Sequence, residues 1–227
     1  MKVLAFSGGK DSWACLWLNK DRLDNIVVVW VNTGKNYPEM LETIALAKSI
    51  CPNFGEITVD RDGQNAYHGI PAEIVPVNWT RFGQKFTSEK SVMIQAYTNC
   101  CYENIGKNLH EYCIQRGYTE MIRGQRNSEG HKSTARDGDV VDGITYRQPI
   151  ENWSSQEVLE FNAKHMQIPD HFRFNHTSMD CYDCTAFAKE SKDRVAYMEQ
   201  KYPLLYAEYK SRNDALQGAL KEALEIQ

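Results

Sequence analysis

Two short runs near the start of the chain, residues 2–6 and 27–31, consist almost entirely of apolar residues. Such runs are typical of strands in a parallel sheet that is covered on both faces, because neither face is left for polar side chains. Between the two runs, Trp13, Leu16 and Trp17 recur at the spacing of one helix face. The pattern therefore predicts a strand, a helix and a second strand parallel to the first.

The alternation of helix and strand continues towards the middle of the chain. Apolar residues recur at helical spacing after Pro38 and stop before Pro52, which predicts a second helix. Residues 56–60 and residues 120–123 have the composition of short strands. Both are expected to extend the same sheet.

The remaining segments are less regular. Residues 62–90 are interrupted by glycine and proline, and they predict loops with one short strand near residues 74–77. Residues 100–115 have a helical pattern. Ser154 and Glu157 have the spacing of a capping box, which predicts the start of another helix.

The order of these elements predicts the fold class and the domain boundaries. The chain beyond Lys189 alternates charged and apolar residues, so we expect helices there. The fold class is α/β, a three-layer, Rossmann-like parallel sheet with a helical C-terminal extension. We expect the main domain over residues 1–180, and a Cys-x-x-Cys segment with a helical tail over residues 181–227.

Composition narrows the class of protein. Hydrophobic residues make up 42% and charged residues 25% of the 227 residues, as in ordinary soluble domains. No apolar run approaches the roughly 20 residues of a membrane-spanning helix, and residues 2–6 are too short for the apolar core of a signal peptide. The formal charge of -4 provides no general attraction to nucleic acid or to an anionic membrane. We therefore expect a cytoplasmic protein with no membrane partner.

The clearest candidate site follows the first predicted strand, in the run Ser7-Gly8-Gly9-Lys10-Asp11-Ser12. Its two glycines let the backbone turn sharply and approach a ligand closely. The next residues begin a helix, so unpaired amide groups and the positive end of the helix dipole meet at one point. Lys10 adds a positive charge. An ordinary strand-to-helix turn rarely needs all these features, so the loop predicts an anion site.

The loop lacks the earlier glycine of a Walker A motif. It resembles instead, residue for residue, the S-G-G-x-D-S loop of the adenine-nucleotide alpha-hydrolase (PP-loop) superfamily, whose members cut ATP between its α- and β-phosphates. The resemblance implies that residues 1–180 form an adenine-nucleotide-binding domain and that residues 7–12 hold the pyrophosphate end of ATP. Lys10 and Asp11 would be catalytic, with Asp11 a candidate ligand of a bridging Mg²⁺.

Three later segments resemble the phosphoadenosine-phosphosulfate (PAPS) reductase family within this superfamily. Asn32-Thr33-Gly34, continuing to Pro-Glu at residues 38–39, is similar to the family segment D-T-G-x-x-F/Y-P-E, which lines the adenosine pocket. Asn32 departs from the pattern by replacing an acid. Gly124 and Arg126 match the G-x-R-x-x-E/S segment, and residues 149–153 match P-I-x-x-W. The resemblance implies nucleotide-binding roles for these first two segments.

A cationic run lies around the second of these segments and consists of Arg123, Arg126, His131, Lys132 and Arg136. Most charge runs are solvated loops, but a position at a sheet tip beside a phosphate site favours a role in binding. Arg126 is the best candidate for a phosphate or sulfate group, because its planar fork matches oxyanions. It is therefore a third catalytic candidate beside Lys10 and Asp11. Lys132 is a further candidate for phosphate binding.

Four of the seven cysteines are paired, as Cys100-Cys101 and Cys181-x-x-Cys184. Structural disulfides are rare in a reducing compartment, so the pairs suggest a metal site. Four thiolates can ligate zinc or an iron–sulfur cluster, although adjacent cysteines are unusual for zinc. The other three cysteines are typical of buried, packing thiols.

Adjacent cysteines with a distant Cys-x-x-Cys resemble the [4Fe–4S] site of the adenylyl-sulfate (APS) reductase branch. The resemblance implies a [4Fe–4S] cluster on the four paired cysteines, and Lys107 is similar to a basic residue that this branch has on the same helix. Those reductases, however, attack the sulfonucleotide with a tail cysteine, and residues 185–227 contain none. The intact phosphate loop also departs from the degenerate loop of the reductases.

Both departures favour ATP as the nucleotide. The first hypothesis is therefore a PP-loop enzyme of the ATP pyrophosphatase or sulfurtransferase type, with a [4Fe–4S] cluster and a sulfur-donor partner such as a cysteine desulfurase. A true APS or PAPS reductase that releases sulfite would need Cys51, Cys113 or the thiol of a thioredoxin-like partner. A non-catalytic nucleotide-sensing or redox-sensing subunit would also lack the tail nucleophile.

A nucleic-acid acceptor has weaker support, because the overall charge opposes it. The aromatic-rich residues 67–86, which include Trp79 and Phe82, would suit either a stacking surface or a satellite core. The satellite core is favoured, because soluble proteins rarely expose large apolar patches.

Overall fold

The computed structural model describes residues 1–87, 92–129, 133–174, 181–187 and 192–225. The chain forms two compact units. The first consists of Met1–Asn32, Asn36–Thr58 and Asn108–Phe174; the second consists of Thr33–Lys35, Val59–Lys107 and Asn175–Gln227. The predicted boundary after residue 180 falls at the end of an undescribed segment and stays a prediction.

The strands of the described residues are β1 (Lys2–Ala5), β2 (Ile26–Asn32), β3 (Phe54–Thr58), β4 (Ile70–Ala72), β5 (Ile94–Ala96), β6 (Glu120–Ile122), β7 (Val140–Val141) and β8 (Ile144–Arg147). The α-helices are α1 (Lys10–Leu18), α2 (Pro38–Ile50), α3 (Arg61–His68), α4 (Arg81–Thr87), α5 (Tyr97–Cys101), α6 (Lys107–Arg116), α7 (Ser155–Asn162), α8 (His171–Phe174), α9 (Lys192–Lys201) and α10 (Pro203–Glu225). No helix among the described residues is long and apolar enough to cross a membrane.

A six-stranded sheet with the strand order β3-β2-β1-β6-β8-β7 forms the centre of the first unit. All neighbouring strands are parallel except β7 and β8. This confirms the predicted α/β class with its parallel sheet and helical C-terminal extension. Val3 pairs with Val27 on one side and Met121 on the other, so β1 lies in the middle of the sheet. The strand order reverses at β1, which is where an α/β sheet binds its ligands.

The core of the first unit explains why the pattern of apolar residues predicted α1 and β2 correctly. Trp13 and Leu16 of α1 are fully buried against Leu4 and Val28 of the sheet. Residues of β2 are buried at every position except the last, as its continuous apolar run predicts. The capping box of Ser154 opens α7 as predicted.

The prediction for residues 62–90 was wrong over the part that the structure describes. Helix α3 begins there because Asp60 accepts a hydrogen bond from the amide of Gly63 at 2.8 Å. The short strand lies earlier than predicted, at β4, where Ile70 pairs with Ile94 of β5 in a separate two-stranded sheet. Residues 74–77 contain no strand, and α4 follows. Residues 88–91 lie outside the described residues.

The second unit has a smaller core of its own. Trp79 is 3% exposed and packs with Ile94 and with Leu216 of α10. The prediction of a satellite core is therefore confirmed for Trp79. Phe82, in contrast, is 69% exposed and does not belong to this core.

Candidate functional site

The predicted phosphate loop connects β1 to α1. Gly9 is the N-cap residue of α1, and no side chain caps the first turn. The first amide groups of the helix therefore have no intrahelical partner, and they lie at the positive end of the helix dipole. Since β2 and β6 flank β1, these amides lie at the carboxyl edge of the sheet where its strand order reverses.

Close packing explains two of the four predicted site glycines, Gly8 and Gly124. Gly8 has φ of +82°, and a Cβ on it would lie 2.7 Å from the hydroxyl oxygen of Thr43. A Cβ on Gly124 would lie 2.6 Å from the carbonyl carbon of Asp11. Neither position accepts a side chain. Gly9 has an ordinary φ of -74°, and its Cβ would meet nothing closer than 3.4 Å.

Asp11 is the centre of a charged cluster at this loop. Its Oδ1 lies 2.6 Å from Nε of Arg126, and its Oδ2 lies 3.2 Å from Nζ of Lys10. Arg126 is only 7% exposed, and its Nη1 donates to the hydroxyl of Ser128 at 2.9 Å. The structure thus brings together the three residues that the sequence predicts as catalytic. Their catalytic role stays a prediction.

Glu129 is a charged neighbour that the sequence analysis missed. Its Oε1 lies 3.6 Å from Nη2 of Arg126, and its Oε2 accepts a bond from the Arg126 amide at 3.4 Å. Burial and then repulsion from Asp11 raise the pKa of Glu129, against the attraction of Arg126. Two cations and two carboxylates therefore balance at the loop. Glu129 occupies the last position of the G-x-R-x-x-E/S pattern, where the family has Glu or Ser. This match was the signal that could have identified Glu129 from the sequence.

Further hydrogen bonds hold the loop around its amide groups. Asn162 of α7 is fully buried, and its Nδ2 donates to the carbonyl of Lys10 at 2.8 Å. The hydroxyl of Ser12 donates to the carbonyl of Gly9 at 2.8 Å. The hydroxyl of Ser7 accepts from the Gly9 amide at 3.4 Å. Nothing in the sequence pattern distinguishes Asn162 from other polar residues of a helix.

The other predicted nucleotide-binding residues have different surroundings. Asn32 ends β2, and its Nδ2 donates to Glu56 at 2.9 Å. Thr33 and Gly34 belong to the second unit, where Gly34 has φ of +73° and Thr33 is 4% exposed. Their roles in adenosine binding stay predictions.

The cationic run after β6 is partly described. Nη1 of Arg123 donates to the hydroxyl of Ser133 at 2.9 Å, and Nη1 of Arg136 donates to the carbonyl of Ser133 at 3.0 Å. Burial lowers the pKa of Arg123. Lys132, which the sequence predicts as a phosphate ligand, lies outside the described residues together with His131.

In the second unit, one cavity is lined by all four of the paired cysteines, Cys100, Cys101, Cys181 and Cys184. The cavity is open to solvent, and about 310 Å³ of space free of protein atoms lies in and at it, open solvent included. Cys100 and Cys101 end α5, immediately before a π-helical turn, Tyr102–Gly106, that leads into α6. The structure therefore brings the two sequence-distant cysteine pairs to one place, as the sequence predicts. No disulfide joins cysteines of the described residues.

Arginine side chains hold the Cys-x-x-Cys loop by its carbonyl groups. Nη1 of Arg194 donates to the carbonyl of Cys181 at 3.0 Å, and its Nη2 donates to that of Cys184 at 2.9 Å. Between these cysteines, Asp183 is 1% exposed and accepts from Arg61 at 2.9 Å and from Arg212 at 3.1 Å. The loop is therefore ordered by ion pairs and backbone bonds.

The lining of the cavity includes one buried cation. Arg61 is 2% exposed and lines the cavity, and its Nε has no hydrogen-bond partner among the described residues. Burial opposes the charge of this guanidinium, but Cys181 and Asp183 outweigh burial and raise its pKa. Burial raises the pKa of the Cys100 thiol, which Arg61 opposes. Arg61 and Arg212 thus contact one buried carboxylate, that of Asp183.

The thiols are arranged around the cavity without converging on a single point. Among the described residues, no three His, Cys, Asp or Glu side chains are close enough together to hold a metal ion. The Cys181 thiol lies 3.6 Å from the Thr33 hydroxyl, and Nδ2 of Asn104 lies 3.6 Å from the Cys100 sulfur. A [4Fe–4S] cluster and zinc both stay predictions.

The remaining cysteines are buried in the first unit. Cys51 and Cys113 are 7% and 0% exposed. Burial raises the pKa of each thiol to about 11. Because the thiolate is the nucleophilic form, both thiols are poorly reactive at neutral pH.

A comparison with protein families finds one match that covers most of the chain. The model of the phosphoadenosine phosphosulfate reductase domain matches residues 1–187. No curated protein matches the chain by sequence.

Comparison with solved structures finds similar chains of low sequence identity. A phosphoadenylyl-sulfate (PAPS) reductase from Candida auris, in a phosphate complex, is 9% identical, with 76% of each chain covered and a TM-score of 0.49. An NH3-dependent NAD synthetase from Campylobacter jejuni is 19% identical, with 94% of this chain and 83% of that chain covered and a TM-score of 0.49. A predicted subunit of tRNA methyltransferase from Methanocaldococcus jannaschii is 17% identical, with 72% and 74% covered and a TM-score of 0.43.

Proposed function

Because the chain belongs to the phosphoadenosine phosphosulfate reductase domain family, we propose that it is an enzyme that binds ATP at residues 7–12 and acts on the α-phosphate. The acceptor oxygen of a second substrate attacks the α-phosphorus, the bond to the β-phosphate oxygen breaks, and pyrophosphate leaves. The terminal sulfur of a persulfide on a donor partner, such as a cysteine desulfurase, then attacks the acceptor atom that carries the adenylated oxygen, and AMP leaves with that oxygen. A thiol reductant cleaves the remaining S–S bond and leaves the sulfur on the acceptor.

The uncapped first turn of α1 is the observation that carries this proposal. Its amide groups have no side-chain cap, and Gly8 and Gly124 allow close backbone packing around them. Helix N-termini of this kind bind phosphate groups. Because the two cations and two carboxylates at the loop balance, the amides contribute binding energy beside the charge of Lys10.

The charged cluster suggests how the residues act on ATP. Lys10 stabilises the negative charge that develops on the leaving pyrophosphate. Asp11 is the candidate ligand for Mg²⁺ on the phosphates. The planar fork of Arg126, whose Nε lies 2.6 Å from Asp11 Oδ1, suits a phosphate oxygen. The ion pair therefore keeps both residues in place before the nucleotide binds.

We further propose that Cys100, Cys101, Cys181 and Cys184 hold a [4Fe–4S] cluster. Two observations support it: all four cysteines line one cavity, and the buried Arg61 guanidinium also lines it. A buried cation there suits a thiolate-bound cluster, which carries negative charge. A single zinc ion binds its four ligands at about 2.3 Å, so the four thiols would have to converge on one point. A four-iron cluster lies between its thiolates and therefore holds them farther apart. The cluster supplies one-electron chemistry or an iron site for a sulfur atom.

Sulfonucleotide reduction is the second candidate function, and the family description favours it. It requires a thiol that attacks the sulfonucleotide sulfur and is later released by a thioredoxin-like partner. Cys51 and Cys113 are unsuited to that role, because burial raises the pKa of each to about 11. A nucleotide-sensing or redox-sensing subunit would bind the same ligands without turnover.

The nucleotide is tested by isothermal titration of the protein with ATP, APS and PAPS, and by measuring pyrophosphate release with candidate acceptors. We expect tightest binding of Mg²⁺-ATP and at least tenfold weaker binding in Lys10→Ala. Glu42→Gln, on the exposed face of α2, serves as a control. Preferential binding of APS or PAPS with sulfite release would instead establish the reductase, and binding without any turnover would favour the sensor.

The cluster is tested by anaerobic purification, iron and sulfide analysis, and electron paramagnetic resonance. We expect about four irons per chain, with the spectrum of a four-iron cluster, and loss of iron in Cys181→Ser. Cys51→Ser is the matched control, because this cysteine lies elsewhere, and it should retain the iron. Zinc in place of iron, or no metal, would contradict the cluster while leaving the ATP proposal intact.

A further inference from the structure

The outer face of α4, in the second unit, exposes two aromatic rings. Phe82 and Phe86 are 69% and 74% exposed. They are spaced four residues apart, so they lie on one helix face, and their ring centroids are 4.8 Å apart. Neither ring contributes to the core of the unit. Exposed aromatic pairs of this kind indicate a binding surface.

The opposite side of α4 is anchored, which fixes the direction of these rings. A Cβ on Gly83 would lie 2.0 Å from the carbonyl oxygen of Val77, so the helix packs directly on the preceding turn. The hydroxyl of Thr80 accepts from the Gly83 amide at 2.9 Å. Trp79, in the same turn, is buried in the core. The outward position of the phenylalanines is therefore set by packing beneath them.

Positive charge accompanies the two rings. Arg81 and Lys85 are also four residues apart, so they form a cationic row beside the aromatic row. The Arg81 guanidinium carbon lies 3.1 Å from the centroid of the Tyr67 ring. Residues 74–87 contain no acidic residue, although the whole chain has a net charge of -4. A surface with no anionic partner would not need this local excess of positive charge.

We propose that the face formed by Tyr67, Arg81, Phe82, Lys85 and Phe86 binds a single-stranded nucleic acid. Its unpaired bases stack on the phenylalanine rings, and its phosphates contact Arg81 and Lys85. Aromatic rings with adjacent cations are the means by which proteins bind single strands without sequence preference. A duplex does not bind in this way, because its base faces are covered by neighbouring bases. The binding does not depend on the proposed ATP chemistry.

Fluorescence anisotropy with the full chain tests the proposal. The probes are a labelled 20-nucleotide oligo(dT) and oligo(U), and a labelled duplex of the same length, all without ATP. We expect the single strands to bind at least tenfold more tightly than the duplex. Phe82→Ala and Phe86→Ala together should weaken single-strand binding by tenfold or more, whereas Leu204→Ala, at a residue that is 87% exposed on α10, should not.

Two further variants separate stacking and charge from general hydrophobicity. Phe82→Leu with Phe86→Leu keeps the apolar surface and removes the aromatic rings, so it should weaken binding as the alanine variant does. Arg81→Gln with Lys85→Gln should reduce the slope of log affinity against log salt by about two. Thermal melting confirms that each variant is folded.

Several results would overturn the proposal. One is equal affinity of the wild-type protein and the alanine variant for oligo(dT), or no binding at low salt. Another is loss of oligonucleotide binding in Lys10→Ala with the phenylalanine variants unaffected, which would assign the oligonucleotide to the phosphate loop. A concentration-dependent dimer in sedimentation that only the phenylalanine variants abolish, without strand binding, would assign the face to a second protein chain.

Discussion

Asp11 illustrates how a single residue can prepare a site for its ligand. Its carboxylate contacts Arg126 at 2.6 Å and Lys10 at 3.2 Å, so the two cations are held at the loop and are already neutralised. Glu129 contacts the same arginine. Any anion that binds therefore competes with two carboxylates, and the protonation of Glu129 will change its affinity.

Glu129 gives the first prediction at this scale. Its pKa is raised by burial first and by Asp11 next, so as the pH falls Glu129 is neutralised before an ordinary glutamate. The loss of this negative charge should strengthen anion binding as the pH falls. Glu129→Gln should bind sulfate about threefold more tightly at pH 7, the effect of one partly exposed charge, and should show a flatter pH profile by isothermal titration.

Sulfate is the chosen probe because it does not titrate between pH 5 and pH 7. Glu42→Gln removes the same charge from an exposed position of α2 and is the control. If Glu129→Gln kept the wild-type affinity and pH profile, the carboxylate would have no influence on the loop.

Thiol reactivity gives the second prediction at the residue scale. Burial raises the pKa of Cys51 and Cys113 to about 11, so at pH 8 about one thiol in a thousand is ionised. Iodoacetamide labelling of the metal-free protein at pH 8, followed by peptide mass analysis, should modify the exposed Cys101 first. Cys51 and Cys113 should react only after unfolding in urea. Rapid labelling of either one in the folded protein would restore it as a candidate nucleophile.

At the scale of elements, the close contact between α1 and the segment after β6 fixes the backbone conformation of the predicted phosphate loop. Gly124 lies against the backbone of Asp11, where a Cβ would come within 2.6 Å of the carbonyl carbon. Asn162 of α7 is bonded to the carbonyl of Lys10. The loop is therefore supported from two elements that are distant in sequence.

The two glycines of this region should respond differently to substitution. Gly124→Ala should destabilise the protein by about 1–3 kcal/mol, because backbone atoms must move apart. Gly9→Ala should cost less than about 1 kcal/mol, since its φ is ordinary and its Cβ has room. It should still weaken ATP binding, because the Cβ occupies space at the amides. Urea unfolding and ATP titration measure the two effects.

Gly218→Ala is the matched control for these glycine variants. A Cβ at Gly218 in α10 would meet nothing within 4 Å, so this change should stabilise the protein by about 0.5–1 kcal/mol through helix propensity. Equal stabilities of Gly124→Ala and Gly9→Ala would show that the close packing at Gly124 is not maintained in solution.

At the scale of the whole molecule, the second unit is assembled from distant stretches of chain. Asp183 of the Cys-x-x-Cys loop bonds to Arg61 of α3 and to Arg212 of α10. The hydroxyl of Thr185 donates to the carbonyl of Pro71 in β4 at 2.6 Å. The Cys-x-x-Cys loop and the residue after it thus contact α3, β4 and α10, which are far apart in the sequence.

Asp183→Asn tests this assembly. The change leaves Arg61, which is 2% exposed, without its charged partner, so we expect a loss of about 3–5 kcal/mol in unfolding free energy. Asp214→Asn removes an exposed partner of Lys210 in α10 and should cost no more than about 0.5 kcal/mol. Urea unfolding at constant salt makes the comparison. Losses of similar size in the two variants would contradict a structural role for the buried network.

Sequence periodicity was sufficient where local rules decide the structure. The continuous apolar run of β2 requires burial on both faces, and the capping box at Ser154 satisfies the amide groups of α7 by itself. Periodicity failed across residues 62–87, the part of this segment that the structure describes. There the elements are short, and α4 depends on the contact of Gly83 with Val77, which no local pattern reveals.

The amino-acid sequence by itself determined the α/β class and the position of the predicted phosphate loop at the end of β1. It also determined that four cysteines occur as two local pairs, Cys100-Cys101 and Cys181-x-x-Cys184. Each of these features depends on residue type at fixed short spacing. Only the tertiary structure decided which distant residues meet. It brought Arg126 and Glu129 to Asp11, and it left Phe82 outside the core. Such outcomes depend on packing between elements far apart in the chain, and hydrophobic pattern does not encode which elements will meet.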